Sequence, residues 1–264
     1  MRPLGSEDLK KVRGAILRKD PAREACFTVV ELHTQLHDYE GMSEVSRRQR
    51  LHRHMHNEMQ NLEIVAQSLI DFQDTPWELR MEMARQCWDE TRHCSLLYRR
   101  LKDIGGYKGE FPVMNYEWGV VCITDSLAGR LAIQNRTFEG GEMDILRQLV
   151  RMWKEAGDEQ TSQMMDGILA DEVQHVRFAN QWLKKLAAEN PAILLKVVSA
   201  VHLLKKVTEA LAPDPGEKNA VGVDLTNFTH VGIFASIEDR RLAEFTEEEL
   251  KEIIRQEGLG SIVS

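Results

Sequence analysis

The sequence predicts an all-α protein built as an antiparallel four-helix bundle with additional N- and C-terminal helices. Three observations carry that reading. Leu, Met, Glu, Lys, Arg, Gln and Ala dominate the middle of the chain, with only seven prolines and 6% aromatic residues, a balance that favours helix over strand. Apolar residues recur there at spacings of three, four and seven. No convincing strand pattern and no interdomain linker interrupts them. A single domain over residues 1–264 follows, with the bundle core at about 42–188, an appended helix at 191–212 and an irregular C-terminal segment at 213–264.

Residues 1 to about 40 read as a helical lead-in of mixed charge. The first bundle helix runs from about 42 to 72, with Leu51, Met55, Leu62, Val65 and Leu69 on one line and Glu58 among them. The run Arg47-Arg48-Gln49-Arg50 reads as a solvated face. Thr75-Pro76-Trp77-Glu78 opens the second helix, with Thr at the cap, Pro at the first helical position and Glu three after the cap. Gly105-Gly106 ends it near Ile104. A connection follows, then a third helical pattern from Tyr116 to about Ala156, which Gly140-Gly141 interrupts. Gly157 stops it, and Asp158 caps a fourth helix ending near Ala188. Asn190-Pro191 starts a fifth, apolar helix to about Leu211. Residues 213–245 read as irregular, and Thr246-Glu247-Glu248-Glu249 is a capping box that opens a short terminal helix.

Two strings carry the chemistry. Asp89-Glu90-Thr91-Arg92-His93 and Asp171-Glu172-Val173-Gln174-His175 are both Asp-Glu-x-x-His. In a helix, positions i and i+3 share a face, so each Glu and His can reach one ion. Both strings sit on apolar stripes (Met83, Cys87, Leu97 and Leu101; Met165, Ile168, Ala179 and Leu186), where a charge needs a partner. Each is preceded by a core-facing Glu: 32 residues separate Glu58 from Glu90, and 33 separate Glu139 from Glu172. Two such hairpins facing each other bring four carboxylates and two imidazoles together. That is the ligand set of carboxylate-bridged di-iron and di-manganese proteins. Glu58, Glu90, His93, Glu139, Glu172 and His175 are the expected ligands of two ions. Iron is expected; manganese suits the same donors. Asp89 and Asp171 could each accept the other ring N–H of the opposite motif's His. Glu142, three after Glu139, reads as an extra ligand or as surface charge. Glu63 is a weaker rival to Glu58.

Other features read as structural. Of His52, His54 and His56, only the first and third align on one helix face, in a solvated or supporting role. Met55, Met59, Met81, Met83, Met164 and Met165 read as core, and Trp88 and Tyr98 as packing residues. Cys26, Cys87, Cys94 and Cys122 form no Cys-x-x-Cys pair, which disfavours rubredoxin-type and zinc-ribbon sites. Cys87 and Cys94 read as buried core thiols. The N-terminal residues have no signal-peptide-like apolar core and no run of 18 apolar residues occurs, so a cytoplasmic protein with no membrane partner is expected. The net charge of −8 weighs against nucleic acid.

The strings His56-Asn57-Glu58-Met59-Gln60-Asn61-Leu62-Glu63, Asp89–His93, Arg136-Thr137-Phe138-Glu139 and Asp171–His175 resemble the ferritin-like superfamily, which includes rubrerythrins, ferritins and di-iron oxygenases. Gly109-Glu110-Phe111-Pro112 adds to a closer resemblance, to a bacterial ferritin-like family catalogued as a domain of unknown function. The resemblance covers about residues 45–190. It implies the bundle fold and metal ligation by the six residues above, and it names no substrate. The expected activity is oxidation of a small organic molecule with O2, by an oxidase or monooxygenase. Electrons would come from the substrate or an external donor, and Phe228, His230 or Phe234 would lie near substrate. A homodimer is compatible with this reading. The alternatives are iron storage or metal buffering, a rubrerythrin-like peroxidase, and hydroxylation of a modified tRNA base.

Overall fold

The computed structural model describes residues 4–225 and 235–256. They are mostly helical. A hairpin of β1 (Leu9–Val12) and β2 (Ala15–Arg18) comes first. Then follow α1 (Glu44–Asp71), α2 (Trp77–Asp103), α3 (Tyr116–Val121), α4 (Leu127–Leu131), a π-helical segment (Ala132–Glu139), α5 (Gly140–Glu155), α6 (Glu159–Glu189), α7 (Ile193–Leu211), α8 (Ile237–Leu242) and α9 (Glu247–Gln256). Among the described residues no helix is long and apolar enough to cross a membrane.

The helix ends follow their sequence signals closely. At the end of α2, Gly106 N donates to Leu101 O and Gly105 N to Lys102 O, a Schellman pair that Gly105 permits with φ of 83°. The same pair recurs after α5, where Asp158 N donates to Trp153 O and Gly157 N to Lys154 O. Asp158 then turns outward and its Oδ1 accepts from Thr161 N at 3.0 Å, capping α6. The turn between α5 and α6 is therefore only three residues long and folds them into a hairpin. At α9, Thr246 and Glu249 bond reciprocally, side chain to backbone N–H, as a capping box requires. At α2 the expected cap differs: Pro76 holds the cap position, and Thr75 Oγ1 donates backward to Phe72 O at 2.6 Å.

Three expectations about regular structure fail. The N-terminal lead-in has no α-helix among the described residues: it holds two single 3-10 turns, Ser6–Asp8 and His33–Gln35, and the two described strands. Arg13 and Gly14 both have positive φ, 43° and 87°, which is the backbone of a two-residue hairpin turn. Val12, Ala15 and Leu17 are buried against Trp118, Ile133 and α7. The third helix is not continuous. It breaks after α3, and Ser126 Oγ accepts from Gly129 N to start α4. The carbonyls freed by the break are taken by Arg130, whose guanidinium is buried and donates to Thr124 O and Cys122 O. Gly140-Gly141 is not the irregularity; the π winding just before it is. Lastly, α8 lies within the segment expected to be irregular.

Apolar clusters bracket a polar belt. On α1 Met55 belongs to one cluster and Val65 to another, with Glu58 between; on α2 the flanking pair is Leu97 and Met83 around Glu90. On α6 it is Ile168 and Ala179 around Glu172. α1 packs along α2, α5 along α6, and α2 meets α6 across the interior. The expected solvated face at Arg47–Arg50 is instead tied down: Arg48 pairs with Glu110 at 2.7 Å, and Gln49 is buried against Asp38. Of the methionines, Met55, Met83 and Met165 are core, but Met81 is exposed. Cys87 and Cys94 are half-buried rather than core.

Candidate metal centre

Glu58, Glu90, Glu139, Glu172 and His93 are each 0% exposed, and His175 is 3%. Their donor atoms fall into two overlapping groups. Glu58, Glu90, His93 and Glu172 form one; Glu90, Glu139, Glu172 and His175 form the other, with all chosen atoms in a group within 4.8 Å of each other. Glu90 and Glu172 belong to both.

The oxygens show how the sharing works. His93 Nδ1 lies 3.1 Å from Glu90 Oε2 and 3.4 Å from Glu172 Oε1. His175 Nδ1 lies 3.4 Å from Glu90 Oε1 and 3.2 Å from Glu172 Oε2. Each of these two carboxylates thus presents one oxygen to each half of the site. Glu58 Oε2 lies 3.3 Å from His93 Nδ1 and completes the first half. Glu139 completes the second and is held by three amides: Gln86 Nε2, Gln134 Nε2 at 3.3 Å and Asn135 Nδ2 at 2.9 Å.

The π segment explains that clamp. Its wider winding brings positions i and i+5 together, and Thr137 Oγ1 reaches Ala132 O at 2.9 Å across five residues. Gln134 and Asn135, five and four residues before Glu139, therefore both reach its carboxylate. Gln86 serves twice, donating to Glu90 Oε1 at 3.0 Å as well.

The outer nitrogens of the two rings face carboxylates of the opposite motif. His93 Nε2 lies 3.2 Å from Asp171 Oδ2, and His175 Nε2 lies 3.4 Å from Asp89 Oδ2. Arg92 Nη2 donates to both aspartates and ties the two motifs together. This arrangement keeps a proton on each Nε2 and turns each Nδ1 inward toward the glutamates.

Electrostatically the interior is overloaded. Burial, followed by the Glu172 charge, pushes the Glu90 carboxyl well above its ordinary range. Burial pushes Glu172 and Glu139 up to about 8, against the pull of His175 on each. Burial would lower His175, but Glu172 and Glu90 hold it well above the usual imidazole value. His93 goes the same way: burial would lower it, but Glu58, Asp171 and Glu90 together hold it well above the usual imidazole value. Glu58 moves oppositely: burial would raise it, yet His93 and His54 hold it below the carboxylate range. Glu58 Oε1 and Glu172 Oε1 are buried without a hydrogen-bond partner. Four buried carboxylates, two of them with an orphaned oxygen, and two inward imidazole nitrogens form a donor set that fits divalent ions, and the buried clusters could hold metal ions.

Several neighbours of the six residues were not anticipated from the sequence. His54, expected to be solvated or supporting, is buried, with Nε2 2.8 Å from Glu58 Oε1. His52 and His56 are buried as well; Gly109 N donates to His52 Nε2 at 2.9 Å. The available signal was a polar residue four before a core Glu, one helical turn away: His54 before Glu58, Gln86 before Glu90, Asn135 before Glu139. Glu63 stands apart from the site, paired to Arg23 at 2.6 Å. Glu142 sits beside His54 at 3.1 Å, outside both groups formed by the six. Glu117 on α3 carries a carboxyl that burial, then the Glu142 and Glu58 charges, push to about 8. Phe228, His230 and Phe234 lie outside the described residues. Trp88 is exposed and Tyr98 is half-buried against the core. A hollow of about 300 Å³ between α2 and α6 is lined by Arg85, Gln86, Asp89, Gln174 and His175, among others, and reaches the second half of the site from solvent.

A family model described as "Protein of unknown function (DUF455)" matches residues 5–251. No curated protein and no solved structure matches the chain.

Proposed function

The chain belongs to this family of unknown function, and we propose that it binds a pair of metal ions, iron in the first place, and oxidises a small organic molecule with O2. The observation that carries the proposal is the division of Glu90 and Glu172, each offering one oxygen toward His93 and the other toward His175. A single-ion site has no use for two such carboxylates. In this reading Glu58 and His93 would hold one ion, Glu139 and His175 would hold the other, and Glu90 and Glu172 would serve both. This reading likens the arrangement to a ferritin-like bundle, in which a Glu from each of two helices joins Glu-x-x-His from each of two others.

A redox-active pair held there would supply electrons to O2. The protein's own groups do the rest. Asp171 and Asp89 fix the rings of His93 and His175 by accepting from Nε2. Gln86, Gln134 and Asn135 keep Glu139 from rotating away. The carboxyls of Glu139 and Glu172, pushed up to about 8, hold protons that ion binding releases. Apolar clusters at both ends of the belt exclude bulk water, and the hollow beside His175 gives a small polar molecule its approach.

The proposal is tested by anaerobic iron loading, desalting and exposure to O2. About two irons per chain and O2 consumption that depends on them support it. Iron retained without O2 turnover, in a large shell by size-exclusion chromatography, would favour storage instead.

A further inference from the structure

One helical turn before Glu58, a third set of donors converges. His54 Nε2 lies 2.8 Å from Glu58 Oε1 and 3.1 Å from Glu142 Oε1. Both contacts are at ion-pair distance but lack hydrogen-bond alignment: both ring nitrogens of His54 and Glu58 Oε1 are buried without a hydrogen-bond partner. His54 is only 7% exposed. A buried ring and a buried carboxylate oxygen that meet as an ion pair without an aligned hydrogen bond recover only part of their desolvation cost, and a cation held by both removes the rest.

Glu58 is divided as Glu90 and Glu172 are. Its Oε2 faces His93, and its Oε1 faces His54. Glu142 is steadied from behind, with Asn61 Nδ2 3.5 Å from its Oε2, and Gln134 Nε2 donating to Asn61 Oδ1 at 2.8 Å. Gln134 also reaches Glu139, so one amide links this cluster to the second half of the pair. The three donor atoms lie within 4.8 Å of one another.

We infer that His54, Glu58 and Glu142 form a third site for a divalent first-row cation, sharing Glu58 with the pair. The inference rests on the proposed pair through that shared carboxylate. One imidazole and two carboxylates suit Mn2+, Fe2+ or Zn2+. The third site is the weaker one. It has three protein donors, and the Glu142 side chain is 15% exposed, so its ion exchanges with solvent.

The test uses the metal-free full chain, dialysed to equilibrium against Mn2+, with metal per chain counted before and after desalting. The wild type should hold about three ions at saturation and keep about two after desalting. Glu142→Gln, which preserves size, should saturate at about two and still keep two; His54→Gln should do the same. A wild type that saturates at two, or a Glu142→Gln protein that still takes three, overturns the third site and leaves the pair standing. A wild type that takes no ion overturns both.

Discussion

At the residue scale, the six buried groups differ in what their loss should do. Glu90 serves both halves of the site, so Glu90→Ala should drop retained metal to well under one ion per chain, whereas His175→Ala removes a donor from one half only. Metal analysis after desalting distinguishes them, and circular dichroism checks folding. Asp171→Asn keeps the shape but weakens the acceptor for His93 Nε2. It should cost about 10–100-fold in metal affinity, read by competition with a chelator. The pH dependence has a definite sign. Glu139 and Glu172 sit near 8 without metal, so below that pH they are protonated and an ion must displace their protons. Affinity should therefore rise as pH goes from about 6 to about 8, and a weakly buffered titration should show acid release on metal addition. The Glu-x-x-His pairs were legible because three-residue spacing puts both side chains on the apolar face of a helix, where charge needs a partner. His54 was not, because helical spacing among the three histidines aligns only His52 with His56; the partner of His54 is Glu58, one turn on. Asn135, four before Glu139, follows the ordinary helical period, but Gln134, five before it, was hidden by the π winding.

At the element scale, the long helices and their ends were readable, since Gly105, Gly157, Asp158 and Thr246 each supply a defined cap. The β-hairpin was not. Its turn is Arg13-Gly14, without the Asn or Asp that usually marks such a turn, and each strand is only four residues long. The break between α3 and α4 was equally hidden, because it depends on Arg130, a residue beyond it in sequence, to satisfy the freed carbonyls. Gly157 offers a direct check on the α5–α6 turn. Its φ of 79° is left-handed, so Gly157→Ala should destabilise the protein by about 1–2 kcal/mol in urea unfolding with little change in metal content. A loss of metal as large as that of His175→Ala would mean that the turn governs the site more tightly than the packing suggests.

At the scale of the whole molecule, the polar belt is a liability that a bound ion would turn into a tie. It places four carboxylates in the interior, between apolar clusters contributed by both helical hairpins. α8 and the residue after it pack on one side, and Leu250 of α9 joins the same core: Arg240 is buried and donates to Gly140 O at 3.0 Å and to Asp144 at 2.6 Å, while Asn180 Nδ2 donates to Ala243 O at 2.8 Å. An ion that binds only the folded chain should stabilise it by mass action, about 2.7 kcal/mol at a free concentration of 100 times Kd. Thermal unfolding with and without Mn2+ or Fe2+ should show a higher midpoint with metal. The claim on which everything else depends is that two ions share Glu90 and Glu172. Iron content after anaerobic loading and desalting tests it most directly, in the wild type beside His93→Ala and His175→Ala. The wild type should hold about two irons per chain, with a sharp fall in each variant. Iron content that is the same in all three proteins would contradict it.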